Sequence, residues 1–454
     1  MIRRDGTKRE PPASARVLEL NSTIQPEKIE SSENLDEAQD FDEVIVGDDV
    51  ARIPSSLPYN VHFPFRRGDL NLHSGVGGSL SSILVDLQEI WSRSIEKHLG
   101  IQCVDLKHYK AVLVIPALYK RSTIKHYLSL LLLNMGFAGC FVVQDHVAAT
   151  FGAGLAAACV VDIGDQKTSI SCVEDGISLP NSRIHLGYGG ADITQLLYFL
   201  SKQTGFPYKN CNPTVLSDAL VLHSIKEAQC NMNLDEAQLV RHIFNIEKFG
   251  QSPARYSLYL GDEAIVAPLG FFQTDLLEVT GRKSASVMGK DPGDSEDPHD
   301  HLYLRETSRK YTKTGDIQND DPDFDDNDLE TVGPDIGAEI VPIDQAIFRS
   351  IDMCISDDMK RKMFGAILVV GGGFRFPGGA QYLQARLAQL LGSANPPTVE
   401  VMMDPKESDS DLTVWRGAAV LASMESAQEL WIKPREWAKH GQKLLRERAP
   451  FPWA

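Results

Sequence analysis

One aspartate and the turn that follows it are the residues best suited to chemistry in this sequence. Asp162 ends a run of small and β-branched residues, Gly164 and Asp165 form the turn, and strand-forming residues continue after it. This pattern predicts a β-hairpin. A carboxylate beside outward-facing backbone N–H groups suits a phosphate accompanied by Mg²⁺. Because such turns are common, these residues alone support a purely structural turn equally well.

A glycine-rich loop is the second candidate. Gly371, Gly372 and Gly373 follow a buried strand at 366–370 and precede a helical pattern of leucines. A strand, a glycine loop and a helix in this order favour a phosphate or nucleotide at the helix N-terminus. A turn that lets a helix pack closely on a sheet has the same composition, so both interpretations stay open at this point.

Alternating strands and helices must position these loops. Before Asp162 the expected elements are a helix at 84–99, a strand at 111–115, a helix at 122–135, a strand at 140–143 and a small-residue helix at 148–158. After the hairpin, one helical pattern follows Gly189 and Gly190, and a second contains Leu216 and Leu220. This alternation predicts an α/β fold in which helices cover the sheets.

Composition limits the possible functions. The chain has 454 residues, 43% of them hydrophobic, which allows two to four core-bearing units. A net charge of −17 excludes a generally basic nucleic-acid-binding surface. The seven cysteines are scattered without a Cys-x-x-Cys pair, which favours a reducing compartment over a zinc module. The apolar region at 127–161 is interrupted by polar residues, so we expect no membrane contact.

Two segments are strongly acidic and poor in apolar residues. The first lies within residues 1–55, which we expect to be a mobile N-terminal segment. The second, at 278–336, is expected to be a disordered insertion in a surface loop. Solvated linkers are the default interpretation of both segments.

From Tyr59 to its C-terminal end the chain resembles actin and the actin-related proteins. Four segments carry the resemblance. They are similar to the family's second phosphate loop, the helix that flanks the nucleotide, the adenosine motif and the C-terminal helices, and they lie at 161–168, 225–227, 371–378 and 414–432. Their order and number argue against chance agreement.

The resemblance implies an actin-like fold of two ribonuclease-H-like halves around a nucleotide cleft. It assigns 56–161 to the first half, 162–277 to the first part of the second half and 337–405 to its continuation with the adenosine loop. Residues 406–454 would be C-terminal helices that return to the first half.

The resemblance also implies ATP or ADP with Mg²⁺ as the bound cofactor. Asp162 would hold Mg²⁺ through water. The other expected nucleotide contacts come from the hairpin turn, the flanking helix and the glycine loop: Ile163, Gly164, Asp165, Gln166, Lys167, Thr168, Lys226, Glu227, Gly371, Gly372, Gly373 and Phe374.

The sequence departs from the family pattern in ways that affect catalysis. The first phosphate loop, Asp-x-Gly-x-Gly, is not found, and 59–71 already resembles a point beyond it, so we expect an N-terminally incomplete chain. Gln144 stands at the position of the glutamine that orients the attacking water, and Ser169 replaces the family histidine. A weak ATPase at most is expected.

The match is strongest to nuclear members of the family. It implies a non-polymerising scaffold subunit of an ATP-dependent chromatin-remodelling complex, with roles in transcription regulation, DNA repair and DNA recombination. The expected partners are a helical segment of the remodeller motor subunit, nuclear actin, other actin-related proteins, nucleosomes with their histones, and linker DNA. An ATPase of the same superfold, such as a sugar kinase or a heat-shock-type chaperone, and a filament-forming actin are the alternatives.

Overall fold

The computed structural model describes residues 13–29, 44–53, 59–233, 238–246, 253–280, 340–392, 397–403 and 409–451. The acidic insertion expected at 278–336 lies outside these ranges except for its first three residues.

The described helices have the following bounds: α1 (Ala13–Ser22), α2 (Leu80–Leu99), α3 (Arg121–Ser129), α4 (Asp145–Ala153), α5 (Gly190–Gln203), α6 (Leu216–Gln229), α7 (Glu263–Val266), α8 (Ile343–Asp352), α9 (Asp357–Phe364), α10 (Gly379–Leu391), α11 (Thr413–Ser423), α12 (Pro434–His440) and α13 (Lys443–Arg448). The described strands are β1 (Glu27–Lys28), β2 (Phe65–Arg66), β3 (Asp69–Leu70), β4 (Lys110–Ile115), β5 (Gly139–Gln144), β6 (Ala157–Ile163), β7 (Thr168–Glu174), β8 (Ile177–Ser178), β9 (Ile184–Leu186), β10 (Val240–Ile246), β11 (Ala254–Leu260), β12 (Ile367–Val370) and β13 (Val401–Met402).

The largest sheet contains both candidate loops. Its strands run in the order β13-β12-β6-β7-β8, and β9 also pairs with β7. β12 lies parallel to β6, whereas β6 and β7 form the predicted antiparallel hairpin. Because β6, β7 and β12 are nearly all buried, their Val, Ile, Ala and Cys side chains pack on both faces. The carboxyl ends of β6 and β12 therefore lie side by side, which brings Asp162 next to Gly371.

The two faces of this sheet have different partners. One face packs on a large core with α5, α6, α8 and α10. The other face packs on α4 and α11, which cross with touching backbones. A Cβ atom added at Gly417 would lie 1.6 Å from the Ala148 carbonyl oxygen, and one at Gly152 would lie 2.0 Å from the Thr413 carbonyl oxygen. Only glycine permits this approach.

The first half is built around the parallel pair β4 and β5. Helices α3, α12 and α13 enclose its core with the C-terminal segment, and Ile432 pairs through its backbone with Cys140. The helix expected at 148–158 is in fact α4, which begins at Asp145 and ends before Gly154 in the left-handed conformation. The prediction was wrong at both ends. At the C-terminal end, Ala157 and Ala158 are compatible with helix and strand, and they form the start of β6.

Part of the N-terminal segment is firmly packed on the second half. β1 pairs with β11, and Val17 of α1 is only 1% exposed. The Asn21 amide donates to the carbonyl oxygens of Thr204 and Tyr259, each at 2.9 Å, and its oxygen accepts from the Tyr259 N–H at 2.8 Å. The mobility expected for 1–55 therefore does not hold for residues 13–28.

No helix within the described ranges is both long enough and apolar enough to span a membrane.

Candidate functional site

The hairpin turn between β6 and β7 contains backbone N–H groups that make no hydrogen bond within the described part of the chain. The Gly164 N–H donates to the Lys167 carbonyl at 2.9 Å, which closes the turn. The carbonyl oxygens of Gly164 and Asp165 accept from the first residues of α5 at 3.0 and 2.7 Å. In the described part of the chain, the N–H groups of Asp165, Gln166 and Lys167 donate to no protein acceptor. An anion can therefore accept from them.

Glycines from two other segments surround this turn. A Cβ atom at Gly189 would lie 2.4 Å from the Gly164 carbonyl oxygen, and one at Gly373 would lie 2.3 Å from the same atom. Gly371 has a φ of +87° and leaves 2.7 Å between a hypothetical Cβ and Asp162 Oδ1. The glycine loop thus packs directly on the turn, while a Cβ atom at Gly372 would meet nothing within 4 Å. The packing interpretation of this loop is confirmed, and its contact with a phosphate or nucleotide stays a prediction.

Phe374, an expected nucleotide contact, lies in the core at the end of the glycine loop. Its side chain is fully buried and packs edge-on against Phe271 at 5.4 Å between ring centroids. Any contact of Phe374 with a nucleotide would therefore be made by its backbone, and that contact stays a prediction.

Lys226 lies beside the turn and Glu227 lies at the surface. The Lys226 ammonium, on a residue that is 4% exposed, donates to the Gly190 carbonyl at 3.1 Å. Burial lowers the pKa of Lys226, and the nearby carboxylates of Asp165 and Glu227 oppose that shift. Glu227 pairs with His223 at 3.2 Å. A buried cation next to free N–H groups is the electrostatic environment that a phosphate requires.

Asp162 meets two residues that sequence reasoning missed. Asp145 and His146 begin α4, and each offers a ligand atom to a group with Asp162 in which all three atoms lie within 4.8 Å of one another. Burial, and then the charge of Asp145, raise the pKa of Asp162 to about 6, whereas Lys167 lowers it. Two neighbouring carboxylates are the oxygen ligands that Mg²⁺ prefers, so the residues fit that ion.

Gln144 ends β5, directly before Asp145, and its expected role in orienting a water molecule stays a prediction. Its amide nitrogen donates to the Ala117 carbonyl at 3.4 Å, and its Oε1 is buried without a partner among the described residues. The side chain that β5 and α4 bring to Asp162 is that of Asp145. Gln144 is the last residue of β5, whereas its neighbour Asp145 is the first residue of α4. The two side chains therefore project in different directions.

A histidine lies next to Ser169, the position where the resemblance marks the family histidine as replaced. His146 is fully buried, with Nε2 3.1 Å from Ser169 Oγ and Nδ1 2.6 Å from Ser171 Oγ. Burial lowers the pKa of His146, so the ring is neutral at neutral pH. The helix was expected to begin at residue 148, so His146 was not considered as part of it.

Arg67 joins the first half to the turn. Its backbone N–H donates to Gln166 Oε1 at 3.0 Å, and its guanidinium donates to the Gly187 carbonyl at 2.7 Å and to Asp192 Oδ2 at 3.3 Å. Asp192 in turn accepts from the Gly189 N–H at the start of α5. The Gln166 side chain is therefore a contact between the halves, and its N–H remains available to an anion.

A cavity of about 720 Å³ opens next to the turn. Asp165 and Gln166 lie at one side, residues of α5 and α6 line a second side, and Tyr59 and Phe63 lie at a third. Asp162, Asp145 and Lys167 are not among its lining residues, so the cavity borders the turn without containing the group around Asp162.

Comparisons with known proteins agree with this geometry. The family model described as Actin matches residues 84–450. Actin-related protein 8 of Aedes aegypti is 41% identical over 100% of this chain and 84% of its own length. Actin-related protein 8 of Homo sapiens is 35% identical over 99% of this chain and 80% of its own length. A solved structure described as human actin-related protein Arp8 in its ATP-bound state superposes with a TM-score of 0.82 at 35% identity, covering 100% of this chain and 82% of that one.

Proposed function

Because this chain belongs to the actin family, we propose that it binds ATP or ADP with Mg²⁺ between its two halves. The observation that carries the proposal is the meeting of three separate segments at one turn: the hairpin, the α5 N-terminus and the glycine loop. The similarity to a human relative solved in its ATP-bound state supports it.

The chain's own groups have distinct roles in this proposal. The N–H groups of Asp165, Gln166 and Lys167 in the turn bind the phosphates, and Lys226 neutralises part of their charge. Gly371 to Gly373 allow adenosine to approach the backbone. Asp162 and Asp145 hold Mg²⁺, which neutralises phosphate charge when bound.

A side chain placed at Gly372 tests this proposal. Gly372→Leu adds a side chain to open space beside the turn, so it should weaken ATP binding at least tenfold while leaving stability nearly unchanged. Gln389→Leu, at an exposed position of α10, is the matched control. Isothermal titration calorimetry with MgATP measures both variants. Unchanged affinity in Gly372→Leu, or no binding by the unmodified chain, would contradict the proposal.

We further propose that the protein is a non-polymerising scaffold subunit of an ATP-dependent chromatin-remodelling complex in the nucleus. In this role it contacts a helical segment of the motor subunit, nuclear actin, other actin-related proteins, and nucleosomes with their linker DNA. It contributes there to nucleosome binding, transcription regulation, DNA repair and DNA recombination. The support is the resemblance to nuclear family members, together with Trp415 on α11, which is 68% exposed. Large exposed aromatic side chains are common at protein interfaces.

Purification of the tagged full chain from nuclei tests the scaffold role. A remodelling ATPase should co-purify in stoichiometric amount, and Trp415→Glu should reduce its recovery without lowering the melting temperature of the chain. Glu425→Lys, an exposed charge change after the same helix, is the control. Absence of the ATPase, or sedimentation of the chain as filaments with ATP, would refute the role.

A further inference from the structure

One edge of the three-stranded sheet on the second half is open. The sheet has the strand order β1-β11-β10, so β1 and β10 form its two edges. All seven residues of β10 pair with β11. In the described part of the chain, the backbone groups of β10 form hydrogen bonds with β11 alone. Because a strand directs N–H and C=O groups to both sides, the outer side of β10 presents donors and acceptors that no described residue uses.

The two edges of this sheet differ in length and in charge. β1 has two residues, Glu27 and Lys28, and both are charged and exposed. Short, charged edges resist pairing with a further strand. β10 has seven residues, contains no proline, and carries one permanent charge, on Arg241. The features that protect the β1 edge are therefore largely absent from the β10 edge.

β10 has an apolar residue on each face beside its open edge. Ile243 is 51% exposed and lies on the outer face with Arg241 and Asn245, since successive side chains alternate between faces. Phe244 and Ile246 are each 7% exposed and pack in the core under the sheet. A strand added at this edge would therefore extend the core on one face and cover Ile243 on the other.

On the outer face, an antiparallel copy of β10 is complementary to β10 itself. When two copies pair around Ile243, the isoleucines lie opposite each other, and Arg241 of each copy lies opposite Asn245 of the other. The Asn245 side-chain oxygen already accepts from Arg255 Nε at 3.3 Å, so it suits a guanidinium donor. This register places no like charges opposite each other, whereas pairing around Arg241 would bring two guanidinium groups together.

On the core face, the same register pairs aromatic and apolar residues. His242 lies opposite Phe244 of the second copy, and Val240 lies opposite Ile246. Within one chain His242 and Phe244 are stacked with 6.4 Å between ring centroids, and Phe244 stacks on Tyr256 at 5.6 Å. Pairing in this register would continue the row of rings from one chain into the other.

We propose that two copies of this chain associate through their β10 edges and form a twofold-symmetric dimer. Three strands from each copy then form one continuous sheet, in which the two β10 strands are the central pair. Because the twofold axis passes through Ile243, both open edges are used, and the assembly closes at two copies without forming a filament. A single strand from each copy forms the contact, so the interface is small and the dimer is weak. The dimer does not depend on nucleotide binding.

Sedimentation equilibrium of the full chain, from about 1 to 300 µM, tests the association. The unmodified chain should change from monomer to dimer across this range. Ile243→Lys should raise the dissociation constant about tenfold, because it replaces an apolar pair by two lysines directly opposite each other. Ile177→Lys, at an isoleucine of β8 that is 49% exposed, is the matched control and should leave the dissociation constant unchanged.

An exchange of charge tests the register of the two strands. Asn245→Arg places an arginine opposite Arg241 of the second copy at two symmetric positions, so it should raise the dissociation constant about tenfold. Adding Arg241→Glu to this variant makes both pairs oppositely charged, and should return the constant to within about threefold of its original value. Circular dichroism of each variant at low concentration shows that the monomer is folded.

Three results would overturn the proposal. The first is a chain that stays monomeric at the highest concentration. The second is a dimer that Ile243→Lys leaves intact, or that Ile177→Lys weakens equally. The third is a loss in Asn245→Arg that Arg241→Glu does not restore, because the strands would then not pair around Ile243. A monomer–dimer equilibrium with both the loss and the restoration supports it.

Discussion

Replacement of Asp162 by asparagine should stabilise the nucleotide-free protein at neutral pH. Burial and the charge of Asp145 raise the Asp162 pKa from 3.8 to about 6. An acid with a raised pKa binds more protons in the folded than in the unfolded state, so stability falls as pH rises from 3.8 to 6. Ionised Asp162 therefore reduces the free energy of unfolding at every pH above this window.

The pKa values give the size of this effect. Linkage predicts that Asp162→Asn gains about 3 kcal/mol at pH 7.5 and about 1.6 kcal/mol at pH 5. These are upper values, because the Asp162 residue keeps partial contact with solvent. Urea unfolding at the two pH values, followed by tryptophan fluorescence, measures the difference. Asp175→Asn, at an exposed turn of the same sheet, is the control.

Ligand should reduce the stability advantage of Asp162→Asn. Saturating MgATP stabilises the folded state by mass action, and ionised Asp162 contributes to holding Mg²⁺ in the proposed site. Asp162→Asn should therefore gain less stability from MgATP than the unmodified chain does. Without ligand, Asp162→Asn should raise the free energy of unfolding more at pH 7.5 than at pH 5. If it raises this free energy equally at both pH values, or lowers it at both, Asp162 is not held in an unfavourable charged state.

Three further substitutions test contacts that hold the site together. Gly417→Ala should cost about 3 kcal/mol or more in urea unfolding, since its Cβ would lie 1.6 Å from the Ala148 carbonyl oxygen. Arg67→Ala should cost about 1.5 to 3 kcal/mol by leaving the Asp192 carboxylate without its guanidinium, and the cost should be larger at pH 8 than at pH 5, since the pKa of Asp192 is already raised. Asn21→Ala should speed hydrogen exchange of the α1 backbone amides, because the Asn21 side chain loses its three hydrogen bonds to Thr204 and Tyr259.

Neighbouring residues provide the controls for these variants. Gly372→Ala adds the same methyl group where nothing lies within 4 Å, so it should keep its stability. Arg66→Ala and Ser22→Ala remove exposed side chains next to Arg67 and Asn21. If a control variant changes stability or hydrogen exchange as much as the variant it is compared with, the contact assigned to that variant is not the cause.

Local pattern was sufficient for the hairpin and for the glycine loop. The run of β-branched residues before Asp162 and the glycines after β12 carry strong strand and turn signals, and the structure confirms both elements. That they meet was implied only by the resemblance, because parallel pairing of β6 with β12 joins residues about 200 positions apart. Periodicity contains no information on such pairing.

The residues that sequence reasoning missed share a physical cause. His146 and Asp145 lie at the start of a helix whose boundary was predicted three residues too late, and helix ends are the least certain part of a pattern. An aspartate in the first turn, where it favours the helix dipole, was the available signal. Arg67 has a φ of 55°, which no property of an arginine side chain indicates. α1 precedes the acidic stretch that begins at Glu27, and it was therefore included in the segment expected to be mobile. Its apolar residue Val17, which the structure buries, was the available signal.

The docking of α1 on the second half has a consequence for the order of maturation during synthesis. Asn21 bonds to Tyr259, 238 positions later in the chain. At about 5 to 20 residues per second, a ribosome needs about 10 to 50 s to cover that distance. A ten-residue helix is not stable by itself over this time. The early segment therefore cannot attach until β11 has been made, although residues 13–28 are among the first to be synthesised.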